Sequence, residues 1–210
     1  GLFETMRVLE GGIPLLALHL KRFLKGVEVL ALGEKSRLKS DFLYYVNLTL
    51  DKIKDNACLD TCVIKMMVTR GNGGRGYVPP EEANCHFIAQ VFDLPSYPSS
   101  YVSDGISIRE CQYRLGFQPQ LAGIKHLNRL DQVLASQELL DVPEGILLDY
   151  DDKVIEGTKS NVLVFKALIN SVFGIWFVKS LMLQNGKKIN YKKPANYGII
   201  HDYLAQHYFY

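Results

Sequence analysis

Strand-like and helix-like periodicities alternate along this chain, and this alternation limits the possible folds more than any other feature. Alternating side chains over Leu2–Leu9 predict a strand, and apolar residues at helical spacing over Leu16–Leu30 and Lys39–Asn56 predict two helices. Segments rich in β-forming residues at Cys62–Thr69 and Cys85–Leu94 predict two further strands. Elements in this order indicate an α/β (α+β) protein built from layers of sheet and helix, not an all-helical bundle.

A stretch rich in proline and serine near the middle of the chain predicts a boundary between two domains. Residues 96–105 contain Pro98, several serines and Gly105, a composition typical of linkers. We therefore expect a smaller N-terminal α/β domain over residues 1–95 and a larger C-terminal α/β domain over residues 106–210.

The apolar stripes of the predicted helices identify the side chains expected to face a core. In the second domain a helix is predicted over His126–Leu140, and strands are predicted over Ile106–Arg109, Gly145–Tyr150 and Val162–Phe165. The expected stripes are Leu18, Phe23, Val27 and Leu30 in the first helix, Phe42, Val46, Leu50 and Ile53 in the second, and Leu127, Leu130, Val133 and Leu134 in the third.

The charge balance and the cysteines narrow the class of protein. Lys and Arg number 24 against 22 Asp and Glu, so a net charge of +2 provides no dense basic surface for nucleic acid or anionic lipid. The four cysteines lack metal-ligand spacing and predict reduced, mostly buried thiols. The apolar stretch Val162–Val178 is shorter than a membrane span of about 20 residues and predicts buried strands. With no signal peptide visible, we expect a cytoplasmic protein that binds neither membrane nor nucleic acid.

Two side chains stand where they could react with, or bind, a small ligand. Lys125 lies between an apolar segment and a predicted helix, where desolvation would lower the pKa of its amine as Schiff-base chemistry requires. Taken alone, a lysine at a helix end is the commoner interpretation. Glu156 enters a polar turn where it could face a protonated ring nitrogen, although a solvated turn acid is commoner. Ser160 and Asn161 could bond the same ligand or cap the turn.

Arg22 and a glycine-rich loop complete the candidate residues. Arg22 shares a helix face with His19 and offers a guanidinium fork suited to phosphate, although a surface arginine is the default interpretation. The loop over residues 70–77 lacks the Gly-Lys-Ser/Thr ending of a nucleotide P-loop and is better suited to closing over a pocket. Together these residues would bind an aldehyde, a pyridine nitrogen and a phosphate, and pyridoxal 5'-phosphate contains all three.

Six segments resemble the fold-type IV pyridoxal-phosphate enzymes, the class IV aminotransferase-like family. They occur in the family's order and span nearly the whole chain. The most specific is Gly-Ile-Lys-His-Leu-Asn-Arg-Leu at residues 123–130, which is more similar to the lyases of this family than to its transaminases. The six segments are Gly1–Val8, His19–Arg22, Thr69–Tyr77, Leu121–Leu130, Glu156–Asn161 and Asn170–Trp176.

The resemblance implies a cofactor, pyridoxal 5'-phosphate, and a role for each matching position. Lys125 would bind the cofactor as a Schiff base and shuttle the proton. Glu156 would keep the pyridine nitrogen protonated, and Arg22 would bind the phosphate. The remaining cofactor-binding positions would be Ser160, Asn161 and Ser171. The resemblance implies no metal ion.

The resemblance also implies a two-domain homodimer with the cofactor-binding domain second, and a lyase reaction on a small molecule. The implied reaction converts 4-amino-4-deoxychorismate to 4-aminobenzoate and pyruvate in folate biosynthesis. Thr5 would help to protonate the departing group, and the substrate carboxylates would be bound by Arg75, Tyr77 and Arg114. Two alternatives stay open: an aminotransferase of the same fold acting on D-amino acids or branched-chain amino acids, and a non-catalytic binding protein without the cofactor.

The sequence departs from the family pattern at one place. The family carries a further segment of about 50 residues where Lys166 is here followed directly by Ala167. We therefore expect an interruption of the chain between these two residues. A genuine deletion would instead remove part of the phosphate site.

Overall fold

The chain is divided into two compact units. The computed structural model describes residues 1–55, 61–166, 173–177 and 181–183, and the side chains of this part up to residue 162. The first unit comprises Gly1–Pro95 together with Gln118–Asn128, and the second comprises Ser96–Phe117 together with the described residues from Arg129 onward. The division into domains at residues 1–95, 96–105 and 106–210 stays a prediction.

The first unit is an antiparallel three-stranded sheet with helices packed on one face. Strand β1 (Leu2–Leu9) pairs with β2 (Thr61–Thr69), and β2 pairs with β3 (His86–Phe92). Helices α1 (Leu16–Val29) and α2 (Lys35–Lys54) supply the second layer.

Alternation along β1 explains this layering. Its even-numbered side chains, from Leu2 to Val8, are buried, whereas Phe3, Thr5 and Arg7 on the other face are partly exposed. Helix α1 approaches β1 so closely that a Cβ atom added at Gly26 would lie 2.5 Å from a methyl group of Leu2. These features bury one face of the sheet, and burial of this apolar surface stabilises the unit.

Two helices meet in the same core through an aromatic pair. The rings of Phe23 on α1 and Phe42 on α2 stack with centroids 4.5 Å apart. Ile124, from the later segment of the first unit, joins this cluster of buried residues. A residue far along the sequence is therefore fixed against the N-terminal sheet.

The second unit contains a mixed sheet and an antiparallel one. Strand β4 (Ile108–Leu115) runs parallel to β5 (Glu144–Asp149), which pairs antiparallel with β6 (Val154–Gly157). The other sheet is formed by β7 (Val162–Lys166), β8 (Phe173–Phe177) and β9 (Leu181–Leu183), in the order β7-β8-β9. The remaining elements of the described residues are the helices α3 (Ser100–Ser103) and α4 (Leu130–Ser136) and short 3₁₀ turns at Pro119–Leu121 and Gln137–Leu139.

The predicted α/β class is confirmed, and so are the two N-terminal helices, α1 and α2. The strands predicted at Leu2–Leu9 and Val162–Phe165, near the two ends of the described chain, are observed as β1 and β7. The apolar stretch from Val162 does form two strands, β7 and β8. Cys62 and Cys111 are buried free thiols and Cys85 is a partly buried one, as predicted. Cys58, Ala167 and Ser171 lie outside the described residues, and with them the predicted interruption after Lys166.

The helix prediction over His126–Leu140 is wrong at its N-terminal end. Residues 125–127 are not helical and instead pair with β1: Leu127 N donates to Gly1 O at 2.9 Å, and His126 forms a β-bridge with Leu2. Helix α4 begins only at Leu130 and ends in a 3₁₀ turn. Pairing with a distant strand has overridden the local helical spacing.

One predicted apolar stripe is wrong, and another is wrong at a single position. On α1, Phe23 and Val27 are buried and Leu30 packs against the same core, as predicted, but Leu18 is 59% exposed and His19 is buried in its place. On the third helix the expected stripe of Leu127, Leu130, Val133 and Leu134 is exposed, and Ala135 is the buried residue of α4. The stripe of α2 is correct, with Phe42, Val46 and Ile53 buried and Leu50 packed against them.

Candidate functional site

Lys125 is fixed by backbone pairing with the first strand. Phe3 N donates to Lys125 O at 2.9 Å, so the segment around Lys125 lies along the outer edge of β1. Ile124 points into the core of the first unit, and its neighbour Lys125 is only partly buried. This pairing fixes the backbone from which the lysine side chain extends.

The amine of Lys125 lies over an aromatic ring. Its Nζ atom is 4.8 Å from the centroid of Phe3, and Nζ of Lys65 is 5.4 Å from the same centroid. Thr5 lies two residues along β1 from Phe3 and is directly opposite Lys65 on β2. Lys125, Thr5 and Lys65 therefore belong to one face of the sheet, the face that the helices do not cover.

Lys65 is a member of this group that the sequence alone does not identify. It interrupts an otherwise apolar strand, Thr61–Thr69, which is an available signal. Its proximity to Phe3, however, follows only from the register of β1 against β2. That register is a tertiary feature and cannot be read from the strand itself.

A buried carboxylate lies on the opposite face of the same strand. Glu4 is almost fully buried, and Nε of Arg22 donates to its Oε1 at 2.8 Å while Nη2 of Arg22 donates to its Oε2 at 2.5 Å. Nδ1 of His19 donates to Oε2 at 2.7 Å. His19 and Arg22 are three residues apart on α1, so both reach the same inward position of β1.

The charges in this cluster support one another. Burial by itself raises the pKa of the Glu4 carboxyl, but the hydrogen bonds from Arg22 and His19 outweigh it, so the pKa of Glu4 lies below its usual value. The hydrogen bond from Glu4 in turn raises the pKa of the Arg22 guanidinium. Glu4 and Arg22 therefore stay ionised at neutral pH, and the guanidinium is held in a fixed orientation.

Arg22 retains donors for another group. The contacts with Glu4 use Nε and Nη2, and among the described residues no hydrogen bond uses Nη1. The Arg22 side chain is 41% exposed although its partner is buried. It can therefore bind an anion on its outer edge without releasing Glu4.

Glu156 lies in the second unit, on β6, and is held by helix α4. Nε2 of Gln132 donates to its Oε1 at 2.5 Å, and Nη1 of Arg129 lies 4.0 Å from the same oxygen. The Glu156 side chain is 37% exposed. Its carboxylate is therefore oriented by a neutral donor and a cation, and it retains a face that can accept a further hydrogen bond.

The turn after Glu156 contains the other two cofactor candidates of this unit. Ser160 is buried and Asn161 is exposed. Buried Thr158 lies between Glu156 and these residues, and Thr158 N donates to Gly145 O at 3.1 Å. The turn is thus anchored to β5 by its backbone.

The three residues predicted to bind substrate carboxylates lie in different surroundings. Arg75 and Tyr77 are exposed at the tip of the glycine-rich loop, in the first unit. Arg114, in the second unit, contacts Glu110 at 2.9 Å and Asp152 at 3.3 Å. Arg114 is therefore paired with acids of its own unit, and a substrate carboxylate would compete with them.

The described part of the chain contains neither a metal-binding cluster nor a membrane-spanning helix. Within it, no His, Cys, Asp and Glu side chains are grouped in threes or more so as to hold a metal ion. None of the helices in the described ranges is both long and apolar enough to cross a bilayer.

Comparison with known proteins identifies relatives of this chain. Residues 1–173 match the family model described as amino-transferase class IV. The chain is 36% identical over 105 residues to an aminodeoxychorismate lyase of Vibrio harveyi, a match that covers 49% of this chain and 39% of the relative. It is 27% identical over 169 residues to a putative branched-chain-amino-acid aminotransferase of Methanocaldococcus jannaschii, covering 79% of this chain and 56% of that protein.

A solved structure is similar in both sequence and fold. The 4-amino-4-deoxychorismate lyase of Pseudomonas aeruginosa is 41% identical, with a TM-score of 0.66, and the match covers 78% of this chain and 58% of that one. In all three comparisons the chain spans less than two thirds of the length of its relative.

Proposed function

Because this chain belongs to the class IV aminotransferase family, we propose that it acts as a pyridoxal-phosphate-dependent lyase that converts 4-amino-4-deoxychorismate to 4-aminobenzoate and pyruvate in folate biosynthesis. The observation that carries the proposal is the 41% identity to the Pseudomonas aeruginosa lyase, together with 36% to the Vibrio harveyi lyase. The match to the putative aminotransferase is weaker, at 27%.

The donor chemistry of the described residues fits pyridoxal phosphate. Lys125 provides an amine on a segment fixed by backbone hydrogen bonds to β1. Arg22 provides an open guanidinium edge, held in place by Glu4, for the phosphate. Glu156 provides a carboxylate, oriented by Gln132, for the ring nitrogen. When bound, the cofactor supplies an electron sink for the carbanion that the reaction generates.

The reaction also requires protons to be moved, and two residues of one sheet face are suited to this. Lys125 Nζ is the base that removes the proton from the substrate carbon bearing the amino group. The hydroxyl of Thr5, on the same face, donates a hydrogen bond to the departing enolpyruvyl group and helps to protonate it. Loss of that group makes the ring aromatic, so the elimination needs no second substrate.

Binding of the substrate carboxylates is assigned to Arg75, Tyr77 and Arg114. The exposure of Arg75 and Tyr77 leaves both able to contact a ligand. Ser160, Asn161 and Ser171 are assigned to the cofactor, as the resemblance implies. The same resemblance supports a homodimer, and the molar mass measured by light scattering tests it. The free thiols of Cys62, Cys85 and Cys111 support the cytoplasmic location that we propose.

The direct test is the reaction itself, with the purified full-length protein, pyridoxal phosphate and 4-amino-4-deoxychorismate, and with no keto acid present. We expect 4-aminobenzoate and pyruvate in equal amounts. The Lys125→Ala variant is the control and should form neither product.

An aminotransferase of the same fold is the second candidate. The 27% identity to the Methanocaldococcus jannaschii protein extends over 79% of this chain, a longer match than the one to the Vibrio lyase. The same assay separates the two candidates. The lyase assignment would be contradicted if 4-amino-4-deoxychorismate released no pyruvate, while an amino group was transferred from a D-amino acid or a branched-chain amino acid once a keto acid was added.

A further inference from the structure

Glu144 is a buried carboxylate to which the proposed function assigns no role. It is the first residue of β5 and is only 2% exposed. No ion pair with Glu144 occurs among the side chains that the structure describes. An ionised group in such a position is costly unless several hydrogen bonds compensate it.

Three donors compensate it, and all of them reach the same oxygen. Gly145 N donates to Oε1 of Glu144 at 3.1 Å, Lys159 N donates at 3.3 Å, and the Thr158 hydroxyl makes a short hydrogen bond to it. Two of the three donors belong to the turn that follows β6. The carboxylate therefore fastens that turn to the start of β5.

The backbone contacts around Gly145 strengthen this attachment. A Cβ atom added there would lie 2.7 Å from Cys111 Sγ, 2.7 Å from a methyl group of Leu139 and 3.1 Å from the Thr158 methyl group. The turn thus packs against a strand position that only glycine fits. Side-chain hydrogen bonds and close packing together leave it little freedom.

Glu156 lies immediately before this turn. It pairs with Leu147 in the register of β5 and β6, and Gly157 pairs with Ile146. Residues 158 and 159, which contact Glu144, are the second and third after it. The turn held by Glu144 therefore begins only two peptide units after Glu156.

We infer that Glu144 is a positioning residue for Glu156: by clamping residues 158 and 159 through its Oε1, it fixes where the Glu156 carboxylate lies. This inference rests on the proposed role of Glu156 as the partner of the cofactor ring nitrogen. Gln132 orients the Glu156 side chain from α4, and Glu144 fixes the backbone from which that side chain extends.

The test compares substitutions that keep the shape and remove one interaction each. Glu144→Gln removes the charge, Thr158→Val removes the hydroxyl donor, and Thr158→Ser retains it. Glu138→Gln is the matched control, because Glu138 also accepts two backbone hydrogen bonds, from Gln112 N at 2.6 Å and Tyr113 N at 2.9 Å, but these belong to β4 and not to the turn. Glu156→Gln provides the reference for loss of the ring-nitrogen partner.

The first readout is the bound cofactor, with affinity for pyridoxal phosphate and the pH dependence of its absorbance measured for each variant. We expect both variants to weaken binding about tenfold, because Glu144→Gln replaces charge-assisted hydrogen bonds with weaker neutral ones and Thr158→Val removes one of these bonds. Both should shift the absorbance titration in the same direction as Glu156→Gln. Thr158→Ser and Glu138→Gln should behave as the wild type.

Two results overturn the inference in different ways. In the first, Glu144→Gln and Thr158→Val keep the wild-type absorbance titration and cofactor affinity, while Glu156→Gln changes both quantities. This result would refute the role of Glu144 and leave the proposed function standing. Wild-type behaviour of Glu156→Gln itself would refute the proposed role of Glu156, and the inference with it.

The second readout needs no cofactor. Amide hydrogen exchange at Lys159 reports its bond to Glu144, and exchange at Thr158 reports the backbone bond to Gly145. In the cofactor-free protein, Glu144→Leu, which removes both acceptor oxygens, should accelerate exchange at Lys159 more than at Thr158. Unchanged protection of Lys159 would show that the carboxylate does not clamp the turn, whatever the cofactor does.

Discussion

Glu4 shows how a single residue can be both buried and charged on an otherwise apolar strand face. Its neighbours on that face, Leu2, Met6 and Val8, are core residues. Glu4 is tolerated there because Arg22 and His19 together donate three hydrogen bonds to its two oxygens. The arrangement also fixes the orientation of Arg22, the residue proposed to bind phosphate.

Glu4 should make the stability of the protein depend on pH in the acid range. Since its pKa is lower in the folded protein, its contribution is complete above the unfolded value of about 4.5 and is lost as the pH falls through the lowered value. We expect Glu4→Gln to destabilise the protein at pH 7 by about 1–3 kcal/mol and to flatten the acid part of the stability profile. Urea unfolding between pH 7 and pH 3 measures both effects.

Glu28→Gln is the control for this prediction. Glu28 also pairs with a cation, Lys35 at 2.8 Å, but this ion pair is exposed. The variant should therefore be nearly as stable as the wild type, because water and salt screen such pairs. Equal effects of the two substitutions would contradict the assigned importance of the Glu4 cluster.

Some of these residues can be identified from the sequence and others cannot, for a physical reason. Lys125, Arg22 and Glu156 can be identified because their short segments, taken together and in order, resemble the family pattern. Glu4 and Lys65 gain their surroundings only when β1 meets α1 and β2. Their environment depends on tertiary pairing, which the local pattern does not encode.

At the scale of elements, the start of α4 also could not be predicted from the local sequence pattern. Helical spacing extends back to His126, but residues 125–127 pair with β1 and are not helical. Strands β1 and β2 and helices α1 and α2 could be predicted because their own periodicity matches their burial. The segment around Lys125 could not, because its conformation is imposed by a strand more than a hundred residues away in sequence.

The glycine-rich loop is an element with a tightly closed neck. Arg70 donates to the carbonyl oxygens of Leu30 and Ala31 at the end of α1, and Cys85 Sγ lies 3.4 Å from Leu32 O. Gly71 has a φ of +83°, and a Cβ atom there would lie 1.9 Å from Asn84 O. The loop between residues 71 and 84 is therefore held at both ends while its tip is exposed.

Gly71→Ala should open this neck. The substitution combines an unfavourable positive φ with a backbone clash, and we expect a loss of at least about 1–3 kcal/mol in the free energy of unfolding. Gly74→Ala is the matched control, because a Cβ atom at Gly74 meets nothing within 4 Å. Thermal or urea unfolding measures both, and a Gly71→Ala variant as stable as Gly74→Ala would contradict the closed neck.

At the scale of the whole molecule, composition and charge place the chain in a broad class only. A net charge of +2 and a mixed arrangement of helices and strands are compatible with many functions. The family match over residues 1–173 and the identity to lyases reduce the number of candidate functions. The proposed activity then depends on one chemical assignment, that Lys125 is the amine that binds pyridoxal phosphate.

A second lysine, Lys65, lies near the same aromatic ring as Lys125 and is the alternative candidate for the amine that binds pyridoxal phosphate. Nζ of Lys65 and Nζ of Lys125 both lie near the ring of Phe3, at 5.4 Å and 4.8 Å from its centroid. Either amine could in principle condense with an aldehyde bound on this face of the sheet. The two lysines fall in different peptides after proteolysis, so they can be distinguished.

Borohydride reduction of the protein loaded with pyridoxal phosphate, followed by peptide mass analysis, tests the central claim most directly. Reduction makes the bond between the cofactor and its lysine permanent. We expect the label on the peptide containing Lys125, and no label on the Lys125→Ala variant. A label on Lys65 or on another lysine, or a wild-type protein that carries no label, would contradict the proposed site.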